Sequence, residues 1–274
     1  MNLSTLSPKI LTVTSGKGGV GKTFLALQLA GELARAGSRV MLFDGDMGLA
    51  NVHVLLGLQP KNTLTDVVAG KCNLSDAILP GPHGISIIPG GSGHRIMADL
   101  PDTEIFKIVK DLSDLPEKPD YLIIDTGAGI GRHVLSLSTI GDRVLVVIKD
   151  DPASLADAYG LIKVLSNEYR LQNFDIVVND VLSEDRGNAI FLKLKEVVSR
   201  FLGVPLVCVG IVPHDSGVRV AARKRSLLGD EVSVSPGVRA IRSICNHYKS
   251  IATLEPSFPN LLDRLKSAKA VENE

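Results

Sequence analysis

The run Gly16-Lys17-Gly18-Gly19-Val20-Gly21-Lys22-Thr23 restricts this chain more than any other stretch. It matches G-x-x-x-x-G-K-[ST], follows an apolar strand pattern at 10–14 and opens a helical pattern at 24–36 that ends at Gly37. A strand that turns through glycines into a helix aims backbone N–H groups and the positive end of the helix dipole at one point, which suits phosphate oxygens. Gly16, Gly18, Gly19, Val20 and Gly21 are expected to form that cradle. Lys22 is expected to reach the β- and γ-phosphates, and the Thr23 hydroxyl to bind Mg2+. The same residues also read as G-x-G-x-x-G, with Asp44 at the end of the next strand as the ribose ligand of a dinucleotide site. Lys22-Thr23 has no role in such a site, and a second acidic strand end at Asp125 suits Mg-ATP, so the Mg-ATP reading is preferred.

The rest of the chain agrees with that context. Short apolar runs at 39–43, 121–124, 143–148, 174–178 and 206–212 alternate with helical stretches at 153–168, 189–201 and 238–251. Runs of this length between helices are the pattern of a sheet buried on both faces. The expected class is α/β: a doubly wound, mostly parallel sheet with helices on both faces, one domain over 9–252, with 1–8 and 253–274 as tails. Thirty basic and thirty acidic residues cancel, so net charge argues neither for nor against a nucleic-acid partner, and only local patches could. Three widely spaced cysteines form neither a disulfide framework nor a metal pattern, which suits a reducing cytoplasm. No signal peptide or spanning segment is evident, so any membrane contact is expected to be peripheral, on the inner face of the cell membrane.

Three carboxylates end or follow apolar strands. Asp125 closes Leu122-Ile123-Ile124-Asp125, and Asp44 and Asp46 lie two apart in Phe43-Asp44-Gly45-Asp46. Any one of them alone reads equally well as a cap or turn residue, but three at strand ends beside a phosphate loop read as a Mg2+ and water site. Gly127-Ala128-Gly129-Ile130-Gly131 after Asp125 has the glycines of a loop that follows the γ-phosphate.

Lys17 inside the glycine loop, together with these stretches, resembles the deviant Walker A motif of the MinD/ParA ATPases. Asp44-Gly45-Asp46-Met47-Gly48-Leu49-Ala50-Asn51-Val52 is similar to that family's first switch, and Asp125-Thr126-Gly127-Ala128-Gly129-Ile130-Gly131 to its second. Asp157-Ala158-Tyr159 and Leu161-Ile162-Lys163 are similar to the flagellar branch, the FlhG/FleN regulators of flagellar number. The resemblance implies a P-loop ATPase with ATP and Mg2+, closing as an ATP-dependent homodimer and hydrolysing slowly under partner or dimer stimulation. Lys17 would reach the partner's phosphates, and Asp46 would orient the attacking water. Asp44 and Asp125 would hold the Mg2+ shell with Thr23. Asn51 would lie near the nucleotide, while Asn179, Pro213 and Asp215 would flank the adenine. Its implied role is control of flagellar number or placement, with a transcriptional activator, a partner GTPase and switch-complex proteins as partners. Division-site or cargo positioning, or a non-enzymatic ATP-binding transcriptional antagonist, are the alternatives. Phe24, Gly45, Gly127 and Arg132 depart from residues usual in the family, and none of them removes a catalytic group.

Other features stay open at this level. The six histidines show no metal-ligand spacing. Arg219, Arg223, Lys224 and Arg225 form a cluster that reads as a solvated helix face or as a contact for DNA or an acidic partner. In the tail, Ser257 could cap a short helix on which Phe258, Leu261, Leu262 and Leu265 form one apolar stripe, flanked by Arg264, Lys266 and Lys269. That stripe either docks on the protein's own surface or serves as a weak, switchable membrane anchor.

Overall fold

The computed structural model describes residues 9–46, 48, 50–91, 100–251 and 261–272, with side chains of the last segment as far as Lys266. Eight strands form a single sheet in the order β3-β4-β2-β5-β1-β6-β7-β8. They are β1 Lys9–Ser15, β2 Val40–Gly45, β3 Leu79–Pro80, β4 Ser86–Ile88, β5 Tyr121–Ala128, β6 Arg143–Ile148, β7 Phe174–Val181 and β8 Leu206–Pro213. Only β3, at one edge, runs antiparallel to its neighbour. The main helices are α1 Lys22–Arg35, α2 Asp102–Asp114, α3 Arg132–Thr139, α4 Pro152–Asn167, α5 Glu184–Leu202, α6 Gly217–Lys224, α7 Pro236–Ser250 and α8 Leu261–Glu272.

The unbroken apolar runs of the central strands follow from coverage on both faces. In β5, Ile123 joins the core under α1 and α7, while Leu122 and Ile124 join the opposite core under α2, α3 and α8. A third cluster packs α4 and α5 against β6, β7 and β8. Helix starts carry the expected chemistry. Asp151 accepts from the Ala153 amide at 3.1 Å ahead of Pro152, Ser183 accepts from Arg186 at 3.2 Å, and Ser235 accepts from Val238 at 3.1 Å. The chain winds from β1 outward through β2, then returns to place β5 and β6 on either side of β1. That reversal opens a crevice at the carboxyl end of β1, where the glycine loop lies.

The expected doubly wound, mostly parallel sheet is present. The strands at 79–80 and 86–88 and the helices at 102–114 and 132–139 had no counterpart in the sequence reading. The two strands are only two and three residues long, whereas the helix at 102–114 does carry a helical period, with Ile105, Ile108, Val109 and Leu112 buried on one face.

Of the two readings of the tail stripe, the described residues take the docked one. Leu261 and Leu265 are fully buried in the α2/α3 core, and Leu262 packs against it. Arg264, expected to face lipid head groups, instead donates to the Ile140 carbonyl at 3.2 Å and to Asp142 Oδ1 at 2.7 Å. The other Asp142 oxygen accepts from the Ile10 amide at 2.7 Å, so one carboxylate ties α8 to the start of β1. The stripe is docked on the protein's own surface; Ser257, Phe258 and Pro259 lie outside the described residues. Leu265→Ala is expected to cost about 2–4 kcal/mol of α8 docking. Amide exchange over 261–272 should quicken while β1 keeps its protection, and uniform acceleration across the sheet would instead mean that α8 is integral to global folding.

Candidate nucleotide site

The glycine loop leaves β1 at Ser15, whose hydroxyl donates to the Lys17 carbonyl at 2.9 Å. It enters α1 through Gly21, which sits at φ 90° as the residue ahead of the helix. Only glycine takes that conformation without strain, and a side chain there would also meet Asn179 Nδ2 at 2.3 Å. Gly16 is needed for space rather than for conformation. A Cβ on it would lie 2.2 Å from the Asp157 carbonyl carbon and oxygen, so α4 presses directly on the start of the loop. Asn179, at the end of β7, donates from Nδ2 to the Val20 carbonyl at 2.8 Å and clamps the loop from the other side. The first amides of α1 have no acceptor within the helix, and this held loop presents them at the crevice.

Below the loop, parallel pairing of β2 with β5 sets Asp44 opposite Asp125. Both carboxylates are fully buried. Lys22, itself only 7% exposed, donates to Asp125 Oδ1 at 2.8 Å. Burial first, then the neighbouring Asp125 charge, pushes Asp44 up to about 7, against hydrogen bonds from the Val52 and Asp46 amides. Burial likewise raises Asp125, while Lys22 and the Thr23 hydroxyl pull it down. Asp125 Oδ2 is buried with no hydrogen-bond partner, a costly state for a carboxylate oxygen. Two buried carboxylates, one orphaned oxygen and the adjacent Thr23 hydroxyl fit a hard divalent cation that shares its ligands with phosphates and water. Among the described residues no group of three or more His, Cys, Asp or Glu could hold a metal ion.

The rim holds the remaining residues. Asp46 lies half-buried just past β2, its Oδ1 accepting from the Gly48 amide at 3.3 Å. Asn51 is exposed ahead of a helical turn at Val52–Leu55, whose first amide donates to Asp44 Oδ2 at 3.0 Å. Lys17 pairs with Asp151, the cap of α4. Asp151 was not singled out from the sequence, although Asp-Pro ahead of a helical pattern was its signal. Pro213 ends β8. Asp215 accepts from the Gly217 amide at 2.8 Å and the Gly237 amide at 3.1 Å, so its carboxylate holds two helix starts together. In the basic cluster, Lys224 is engaged by Glu231 at 2.5 Å and the Arg225 stem covers Gly57, leaving Arg219 and Arg223 on the exposed face.

Residues 11–228 match the family described as the CobQ/CobB/MinD/ParA nucleotide binding domain. The chain belongs to that family. Among MinD/ParA relatives, the antiactivator FleN of Pseudomonas aeruginosa is 41% identical over 88% of this chain and 86% of its own. The flagellum site-determining protein YlxH of Helicobacter pylori is 31% identical over 80% of this chain and 74% of its own. The cell division ATPase MinD of Pyrococcus furiosus superposes with a TM-score of 0.75 at 26% identity, covering 89% of this chain and 99% of that one. The MinD/ParA resemblance read from the glycine loop and switches is therefore correct, and with it the P-loop ATPase fold. No helix among the described residues is long and apolar enough to cross a membrane.

The buried acidic pair carries a stability cost that depends on pH. From pH 3.8 to about 7 the folded protein keeps a proton on Asp44 that the unfolded chain has released. Stability therefore declines as pH rises through that window and levels off above it. Asp44→Asn should raise the stability of nucleotide-free protein at pH 8 by roughly 1–3 kcal/mol, with the gain shrinking towards zero near pH 4. Denaturant melts at both pH values check this, and an equal gain at the two would dissociate it from the titration.

Proposed function

We propose that this chain is a Mg-ATP-dependent ATPase switch that closes as a homodimer and controls flagellar number or placement. The observation that carries the reading is the division of labour between two lysines in one loop. Lys22 lies inside, on Asp125, while Lys17 lies at the rim, on Asp151. A loop needs one lysine for the phosphates of its own nucleotide. The second faces outward, where another subunit's phosphates would arrive.

In this reading ATP enters the loop and Lys22 leaves Asp125 for the β/γ-phosphates. Thr23, Asp44 and Asp125 would hold Mg2+, which would neutralise phosphate charge. Asp46 orients the attacking water. Lys17 exchanges Asp151 for the γ-phosphate across the dimer, as an arginine finger supplied in trans does. Asn51 lies near the dimer's nucleotide, and Asn179, Pro213 and Asp215 border the base. The cofactor assignment is supported by a MinD of Pyrococcus horikoshii whose structure is described as complexed with Mg-ADP. The flagellar role is supported by the names of the two relatives, an antiactivator and a flagellum site-determining protein. A transcriptional activator is accordingly the favoured partner. Peripheral membrane contact would require α8 to leave its seat, since Leu261 and Leu265 are buried.

Lys22→Ala is expected to lose ATP affinity by about 100-fold or more, whereas Asp46→Ala binds ATP, persists as a dimer and turns over about 100-fold more slowly. Calorimetry, light scattering and phosphate release measure these, and wild-type turnover in Asp46→Ala would remove that residue from the mechanism. Lys17→Ala should bind ATP yet remain monomeric. Asp151→Asn, which frees Lys17 from a half-exposed ion pair worth at most about 1 kcal/mol, should lower the ATP concentration for half-maximal dimerisation by up to about fivefold. Unchanged dimerisation in Lys17→Ala would sink the trans role.

A further inference from the structure

We propose that Thr126 is a positioning residue for hydrolysis: its buried hydroxyl is a two-position latch at a hinge in β5, on which the segment at 127–131 turns when a γ-phosphate arrives. The inference rests on the reading of 125–131 as the second switch.

The hinge is a break in the ladder. β1 and β5 pair in parallel, with Val13 opposite Asp125 and Ser15 opposite Ala128. One residue of β1, Thr14, therefore faces two of β5, Thr126 and Gly127. That is a β-bulge, a device that re-aims a strand and is common beside active sites. On the other side of β5, the ladder to β2 ends with Gly45 opposite Thr126. Beyond the bulge the strand is held at Ser15, whose carbonyl accepts from the Gly129 amide at 2.8 Å. Ser15 is also the residue from which the glycine loop departs. The start of the second switch and the root of the phosphate loop thus meet across one irregular step.

The Thr126 hydroxyl spans that step. Fully buried, it lies 2.8 Å from the Gly127 carbonyl, 3.0 Å from Thr14 Oγ1 and 3.3 Å from the Val13 carbonyl. It carries one proton, so it donates to one of these oxygens at a time. The shortest contact holds Gly127, the first residue past the hinge. The other two oxygens belong to β1. When Gly127 turns away, the hydroxyl rotates its proton to Thr14 or Val13 and is never left without an acceptor, a costly state in a dry core. Two arrangements of one bond therefore lie close in energy, as a switch segment needs. In each the hydroxyl fixes one position of the hinge, and a valine in its place would fix neither. Thr126 acts through the segment it holds, not on the nucleotide.

The test follows amide exchange and turnover in the full-length protein. In wild type, exchange over 127–131 should differ between the AMPPNP and ADP states. Thr126→Val keeps the branched shape without the hydroxyl. It should quicken exchange over 127–131 in nucleotide-free protein by about 3- to 10-fold, the worth of one net hydrogen bond, while the rest of β1 and β5 keeps its protection. The difference between AMPPNP and ADP over 127–131 should shrink, and kcat should fall by about 10-fold with KM for ATP within about twofold of wild type. Thr126→Ser restores the hydroxyl and should restore all of these. If wild-type 127–131 exchanges alike with AMPPNP and ADP, the switch reading falls and this proposal with it. If the wild-type difference is present and Thr126→Val keeps both that difference and its turnover, this proposal falls and the switch reading stands. Exchange quickened evenly over β1 and β5, or a serine variant no better than the valine, would also overturn it.

Discussion

Lys22 on Asp125 is the contact around which the nucleotide site is organised. It joins the first turn of α1 to β5, in a place where the ammonium is 7% exposed and the carboxylate fully buried. A buried ion pair recovers its desolvation cost only when every remaining lone pair is satisfied. Here one is not: Asp125 Oδ2 has no partner, and Asp44 stands opposite as a second buried carboxylate. One cation faces two acids, so the nucleotide-free core is short of positive charge. In the proposed reading, incoming Mg2+ would relieve that deficit, while the phosphates would draw Lys22 away from Asp125.

Such coupling needs a loop that cannot drift. Three elements hold it: α4 presses on Gly16, Asn179 clamps Val20, and Ser15 closes onto the Lys17 carbonyl. The switch side is tied as well, since the Asp44 oxygens accept from the Asp46 and Val52 amides. A shift of Asp44 when charge arrives would therefore be felt at Asp46 and at Asn51 without any long pathway. The half-exposed Lys17–Asp151 pair is the weakest of these ties. It is also the one that faces outward, which is what the proposed exchange between subunits requires.

The far face of the sheet shows a parallel economy. Asp142 receives the Ile10 amide on one oxygen and Arg264 on the other, so the last helix is fastened to the first strand. With Leu261 and Leu265 buried beside Ile10 in one core, α8 becomes part of the layer over α2 and α3. An amphipathic stripe that looked able to seek a lipid surface has its apolar area covered within the chain. Release would expose that area and break the Arg264–Asp142 bond, which sets a cost on any membrane contact made through α8.

The fold and the phosphate loop were legible because both rest on local pattern. Apolar runs between helical stretches require a sheet covered on both faces. G-x-x-x-x-G-K-T between a strand and a helix places amides and a lysine at one point, whatever the remainder does. Asp44, Asp46 and Asp125 could be named from strand ends alone. Their pairing could not, because the opposition of Asp44 and Asp125 is a register between strands separated by 81 residues in sequence. The docking of α8 on Asp142 and the hold of Asp151 on Lys17 are likewise contacts between distant segments. Sequence determines which groups a chain carries and which local conformations they favour. Which groups meet, and so which charges shift, which lysine is held and which stripe is covered, is decided by packing, since burial and proximity exist only once the sheet has brought those segments together.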